Sequence, residues 1–162
     1  MSFYRRNLPP YQRDYRPHLV TFVTKDRRQL PDSAREIVLN SCIYGHYKKF
    51  SLYVVVVMPD HAHLILTPLT DVVRQRIYPL HEIMRAIKSH SARLINERLA
   101  CNGRVWQEES FDHVLRSSES LDAKIAYILA NLVRAGLVNV PEDYPWKWRK
   151  PGDTYLPLNA HS

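Results

Sequence analysis

The stretch VVVVMPDHAHLIL, residues 54–66, decides how this chain folds and where its chemistry lies. Four consecutive valines read as a strand buried on both faces. Met-Pro-Asp then turns the chain, which returns as a second strand antiparallel to the first. Side chains alternate along a strand, so His61 and His63 project together while Ala62, Leu64 and Leu66 pack on the other face. Two imidazoles side by side are a natural ligand pair for a divalent metal. A bare His-x-His also occurs on half-exposed strands without function, so the pair gains meaning only beside a second polar constellation.

That constellation lies in LDAKIAYILANLVRAGLV, residues 121–138. Leu121, Ile125, Ile128, Leu129 and Leu132 recur at helical spacing and form one apolar stripe. At about 100° per residue, Tyr127, Asn131 and Arg134 fall together on the opposite side. A tyrosine that merely packed would belong beside the stripe. Tyr127 instead lies one turn before Asn131, so phenol and amide can address the same point. Ala135-Gly136 closes the helix, glycine supplying the left-handed conformation of a C-terminal cap.

The remaining elements fall into order around these two. Residues 1–17, rich in Arg, Pro and Tyr, read as an irregular arm, and 18–24 as a first strand. Asp32 is expected to cap a helix running to about residue 47. Strands at 52–58 and 61–67 follow, then a patternless linker at 70–79. A helix over 80–99 places Leu80, Ile83, Met84, Ile87, Leu94 and Ile95 in the core. A turn at Asn102-Gly103 leads to a last strand over 111–115, and Ser118 is the expected cap of the tyrosine helix. The order β-α-β-β-α-β is the ferredoxin-like plan, an α+β fold with helices on one face of an antiparallel sheet, here extended by a C-terminal helix carrying the tyrosine. Residues 1–162 are expected to form one domain, with 139–162 an aromatic-basic tail.

Taken together, these segments resemble a known family. MPDHAHLIL is similar to the MPNHVHLL motif of the single-tyrosine HUH transposases, and YILANLVRAGLV to their YIxxNPVRAGLV helix. VWQEESFDHVLRS (105–117), HLVTFVTKDRRQL (18–30) and IKSHSARLIN (87–96) resemble further segments, so the likeness runs from about His18 to Trp148. It is closest to the REP-associated tyrosine transposases. Asp60 stands where the family has Asn, Ala62 where it has a larger aliphatic residue, and Leu132 where it has Pro. The resemblance implies that Tyr127 is the nucleophile and that His61, His63 and Asn131 hold a divalent metal, Mg²⁺ or Mn²⁺. It implies cleavage and rejoining of single-stranded, hairpin-containing DNA through a 5′-phosphotyrosine. It also puts Trp106 and His113 near the site.

Composition agrees with a polyanionic partner: 23 Lys and Arg stand against 16 acidic residues, a formal charge of +7. No apolar run approaches the length of a membrane-spanning helix, and the N-terminus lacks the apolar core of a secretory signal. Cys42 and Cys101 have neither metal-type spacing nor the number for a disulfide framework. A cytoplasmic, nucleoid-associated protein is expected, monomer or homodimer, without a small-molecule substrate. Candidate DNA contacts are Arg5, Arg6, Arg13 and Arg16 of the arm, then Arg85, Lys88, Ser89 and Arg93 on the polar face of the middle helix. Arg134 and the tail residues Trp146, Lys147, Trp148 and Arg149 complete the set, since aromatics interleaved with cations suit bases and phosphates. Two other readings compete: a DNA-binding regulator of the same fold without catalysis, and a metal-dependent phosphodiester hydrolase using water.

Overall fold

A computed structural model describes residues 15–116 and 120–152. Five strands form one antiparallel sheet: β1 (His18–Val23), β2 (Phe50–Val57), β3 (His61–Pro68), β6 (Phe111–Val114) and β7 (Lys147–Arg149). Their order is β6-β1-β3-β2-β7, in which the first four strands follow the ferredoxin-like plan. The helices are α1 (Asp32–Tyr44), α2 (Leu80–Leu99) and α3 (Leu121–Arg134).

Alternation along the strands divides the core in two. Val20 and Phe22 of β1, Leu52, Val55 and Val57 of β2, and Ala62, Leu64 and Leu66 of β3 face α1 and α2. Val54, Val56 and Ile65 face the other way, against Ile125, Ile128 and Leu132 of α3. Leu121 and Leu129 pack at the edge of that second cluster. The α3 stripe therefore fastens the helix to the face that His61 and His63 share. Residues 54–57 of β2 are fully buried, as four valines between two helical layers require. A β-bulge between Leu52 and Val54 resets the register and lets both faces stay apolar.

Several expectations are corrected. Asp32 is the first residue of α1 rather than its cap; Pro31 holds that position without a side-chain bond, and the Asp32 carboxylate lies at the positive end of the helix. The helix stops at Tyr44, because Gly45 to Lys49 fold into a turn that leads into β2. Residues 70–79 are not a patternless linker. Thr70–Asp71 and Arg76–Ile77 pair as a small hairpin, β4 and β5, turned by Asp71, whose carboxylate accepts from the Val73 and Arg74 N–H groups. The C-terminal tail is in part a strand: β7 lines the edge of β2, with Val56 opposite Lys147 and Val54 opposite Arg149.

Ser120 caps α3, its Oγ accepting from the Ala123 N–H at 3.2 Å; Ser118 lies outside the described residues. At the other end Gly136 has φ +72°, and the Gly136 and Leu137 N–H groups donate to Val133 O and Leu132 O. That pair of bonds is the Schellman cap which the Ala-Gly sequence announces. Cys42 is buried in the helix-side core, which pushes its thiol up to about 12.

Candidate active site on the face of the sheet

β2 and β3 meet at Pro59-Asp60, closed by the Met58 N–H donating to His61 O at 2.8 Å. The loop after β1 clamps this turn. Leu30 N–H donates to Pro59 O at 2.7 Å, and the N–H and hydroxyl of Thr24 donate to Asp60 O at 2.9 and 3.0 Å. His61 thus starts its strand from an immobilised turn.

Both imidazoles are held from behind. The sheet register sets Thr21 opposite His63, with Thr21 Oγ1 2.7 Å from His63 Nδ1. His61 Nδ1 lies 2.6 Å from Asp60 Oδ1, and a carboxylate acceptor fixes that nitrogen as the donor. The rings stand 4.8 Å apart at 80°. With each Nδ1 engaged, Nε2 is the atom each ring offers to a ligand. Burial, reinforced by neighbouring His61, lowers His63 to about 4, so it is neutral at pH 7 and keeps its lone pair. Burial alone would raise the Asp60 carboxyl, but its hydrogen bond to His61, then the charges of His61 and Arg27, hold it below the usual range.

This donor arrangement fits a divalent metal: two imidazoles on one face, oriented by a carboxylate and a hydroxyl, as metal-bound histidines are. Among the described residues no three His, Cys, Asp or Glu side chains gather. Among the described residues, a further ligand would be an amide oxygen, with water or substrate oxygens completing the shell.

The helix-borne residues form their own cluster. Tyr127 is 57% exposed, and the Arg134 guanidinium lies 4.4 Å over its ring. Arg134 also donates to Tyr127 O, and a second, short hydrogen bond runs from Arg134 Nη2 to Asn131 Oδ1. Among the described residues, no hydrogen bond or ring contact joins this cluster to the histidines. What they share is the face of the sheet on which α3 packs.

The same face carries more than the sequence motifs disclose. His113 lies opposite Leu19, and Phe111 opposite Thr21. Lys147 lies opposite Val56, itself opposite His63, so β7 brings a cation two strands from the histidine pair. Trp106 does not join them. It is buried on the far face, T-shaped against Phe22 at 4.6 Å, with its indole N–H donating to Ser91 Oγ at 3.0 Å.

The other candidate contacts divide. Arg5, Arg6 and Arg13 lie outside the described residues. Arg16 Nη1 donates to Leu115 O. Arg85, Lys88 and Ser89 line a cavity of about 730 Å³ between α2 and the segment leading to β6. Lys88 spans to that segment, donating to Gln107 O, Glu108 O and Ser110 Oγ; its burial lowers its proton affinity, as does Arg104 nearby. Arg93 pairs with Glu97. Trp146 stacks under Arg35 and packs on the core, Trp148 meets His46, and Lys147 Nζ donates to Glu142 O and Tyr144 O. Arg149 is exposed.

Residues 12–130 match the model of the family described as transposase, IS200 like. The chain belongs to the IS200-like transposase family. The match includes His61, His63 and Tyr127 and stops one residue before Asn131. Among solved structures, this IS200-like chain is similar to a REP-associated tyrosine transposase bound to a REP hairpin. That likeness has a TM-score of 0.64 at 21% identity and covers 83% of this chain and 76% of the other. It is also similar to a bacterial tRNA(His) guanylyltransferase (Thg1)-like protein in complex with GTP, at a TM-score of 0.50, 13% identity and coverage of 88% and 74%. A putative transposase from Deinococcus radiodurans R1 overlaps at a TM-score of 0.46 and 22% identity, over 71% of this chain and 88% of that one. No curated protein matches the chain significantly. The first two likenesses are of fold, which in this chain is a mixed α+β architecture on a five-stranded antiparallel sheet.

Proposed function

We propose that this IS200-like transposase is a metal-dependent single-strand DNA endonuclease and strand transferase acting on hairpin-containing DNA. The observation that carries the reading is the histidine pair: two rings on one strand face, each held at Nδ1 by Asp60 or Thr21 and each left with Nε2. A pure DNA binder has no use for imidazoles oriented in this way. His61 and His63 would hold a divalent ion, Mg²⁺ or Mn²⁺, with Asn131 as an amide-oxygen ligand once its carbonyl turns from Arg134. When bound, such an ion polarises a scissile phosphate and stabilises charge on the leaving oxygen.

Tyr127 is the nucleophile. Its phenol oxygen gives up its proton and forms a bond to phosphorus, the P–O3′ bond breaks, and the 3′ oxygen leaves, taking up a proton to become a hydroxyl, giving a 5′-phosphotyrosine. A later attack by a DNA 3′-hydroxyl reverses the exchange and rejoins the strand, the phosphodiester being kept in the covalent link. Arg134 holds Tyr127 and Asn131 in one cluster and supplies a positive charge beside the phosphate. Lys147 and Arg149 of β7 extend that positive field along the face. No helix among the described residues is long and apolar enough to cross a membrane, which suits work on chromosomal DNA in the cytoplasm. Hairpin DNA is the substrate of choice in this reading, in keeping with the hairpin bound by the REP-associated relative.

The test is a covalent protein–DNA adduct on a denaturing gel with Mg²⁺ or Mn²⁺ present. Tyr127→Phe removes one exposed hydroxyl, so fold and DNA affinity should persist while adduct and nicks disappear. Undiminished nicking by Tyr127→Phe would transfer the reading to hydrolysis by water.

A further inference from the structure

Between Glu36 and Asp60 the sequence has no acidic residue, yet it carries Tyr44, Tyr47, Lys48, Lys49 and Tyr53. The end of α1 and the turn after it leave two of these rings outward: Tyr44 is 69% and Tyr47 66% exposed. Ammonium groups accompany them. Lys48 Nζ lies 3.7 Å over Tyr44, and Lys150 Nζ lies 5.6 Å from Tyr47 and 5.8 Å from Tyr53.

The turn is built to hold its shape. Tyr47 has φ +66°, a left-handed conformation that side chains with a β-carbon rarely adopt. It is kept there by its N–H donating to Phe50 O at 2.8 Å and by the His46 ring 3.7 Å away. His46 is itself locked, its Nδ1 accepting from the Leu52 N–H at 2.8 Å and its ring against Trp148 at 5.0 Å. Gly45 is required, since a β-carbon there would meet the Phe50 ring at 2.3 Å. Beside the turn, a cavity of about 230 Å³ opens between the end of α1 and α2, floored by Phe50, Ile83 and Ile87. Tyr44 and His90 line it, their rings 6.2 Å apart and 24° from parallel, and so do Lys48 and Lys49.

We propose that Tyr44, Tyr47, Lys48, Lys49 and Lys150 form a second DNA contact, a stacking platform for an unpaired stretch of the strand, at the end of the sheet away from the histidine pair. The inference rests on DNA being the substrate. Exposed rings flanked by cations take single strands because unpaired bases offer their π-faces, while the ammonium groups track the phosphates. A duplex keeps those faces inside its stack. A protein partner would have to bring the acidic surface that this cationic segment lacks. The seven steps of β3 from His61 to Pro68, at about 3.4 Å each, span roughly 24 Å, and the platform lies beyond that end, where Pro68 pairs with Phe50. The strand is thus gripped at two places, and the length of unpaired DNA between them becomes a feature the protein measures. A rigid turn suits that task, because little ordering remains to be done on binding.

The test compares a fluorescent hairpin bearing a long unpaired flank with the same hairpin cut blunt, measured by anisotropy on the full chain. A 2-aminopurine in the flank reports stacking. The double variant Tyr44→Ala, Tyr47→Gly (glycine accepts the φ at 47) should lose about a hundredfold in affinity for the flanked hairpin, roughly tenfold per ring, with its 2-aminopurine quenching gone. Its affinity for the blunt hairpin should be unchanged. Tyr44→Phe should behave as wild type. Lys48→Gln with Lys49→Gln should reduce the slope of log affinity against log salt by about 1.4. A wild type that prefers the flanked hairpin while the double variant binds and quenches equally well would overturn the platform and leave the DNA reading standing. An equal loss for both hairpins, or a change in oligomeric state, would also overturn it. A wild type that binds neither DNA would instead defeat the functional reading on which the platform rests.

Discussion

On β3, His61 and His63 each have one ring nitrogen taken by a neighbour and their rings half-covered. On α3, Tyr127 and Asn131 share Arg134 as a partner, Lys124 Nζ lies 5.9 Å from the Tyr127 ring, and Tyr127 is largely exposed. The strand half of the candidate site is fixed by four connections to the loop and strand beside it. The helix half is fixed only by a stripe of buried residues on its other side. In the proposed mechanism, oriented metal ligands and an exposed nucleophile are a sensible division for a strand transferase. Metal ligands gain from orientation that costs nothing at the moment of reaction, whereas a tyrosine that must receive and release a DNA end gains from freedom. Asn131 links the two halves: its amide oxygen now accepts from Arg134 and would turn from it to serve the ion.

The comparison breaks most severely if the strand half is removed. The double variant His61→Ala, His63→Ala should lose divalent-ion binding altogether in calorimetry, along with all EDTA-sensitive cleavage. Retention of metal affinity would show that the ion lies elsewhere.

Detaching the helix half is the next largest change. Leu132 is completely buried against the strand-borne cluster, so Leu132→Ala should cost about 2–5 kcal/mol in denaturant unfolding. Metal affinity should be largely retained, because the supports of both histidines come from β1 and the loop after it, and the loss should be no more than the share the proposed Asn131 ligand contributes. A parallel loss of metal affinity would mean that the two halves are one unit.

A finer cut touches only the support behind one ligand. Thr21→Val keeps the shape of β1 but removes the partner of His63 Nδ1. It should weaken metal binding about 10–100-fold and leave Tyr127, on the other half, as reactive as before at saturating metal. Unchanged affinity would show that the strand alone orients His63.

The two halves also differed in how legible they were. Alternation in residues 54–66 and helical spacing in 121–138 were enough to place His61 with His63 and Tyr127 with Asn131. Both patterns follow from the local geometry of one element. The supports were not legible in this way. Thr21 matters only through its register opposite His63, which is settled by pairing across strands distant in sequence. Asp60 read as a departure from the family motif, yet its carboxylate is what holds His61. The strand β7 was hidden because three residues alternating Lys, Trp and Arg look alike as a solvated tail or as an edge strand; the exposed edge of β2 decides between them. The hairpin of β4 and β5 was missed for a related reason, since Asp71 makes a turn there without glycine or a neighbouring proline. Tyr44 is the last residue of the helix and exposed on it, while Tyr47 lies where the helix is expected to continue, and the turn that begins at Gly45 gives it its left-handed conformation.

The central claim is that Tyr127 attacks phosphorus and the 3′ oxygen departs, and the polarity of the covalent link tests it most directly. A single-stranded hairpin substrate should be prepared twice, labelled on the 3′ side of the cleavage point or at its opposite 5′ end, and run with protein on a denaturing gel. The expected result is that the 3′-side label co-migrates with wild-type protein and the 5′-end label is released as a shorter free strand. Neither should be seen with Tyr127→Phe. Attachment of the 5′-end label through a 3′ phosphate, or release of both labels with no adduct, would contradict the account.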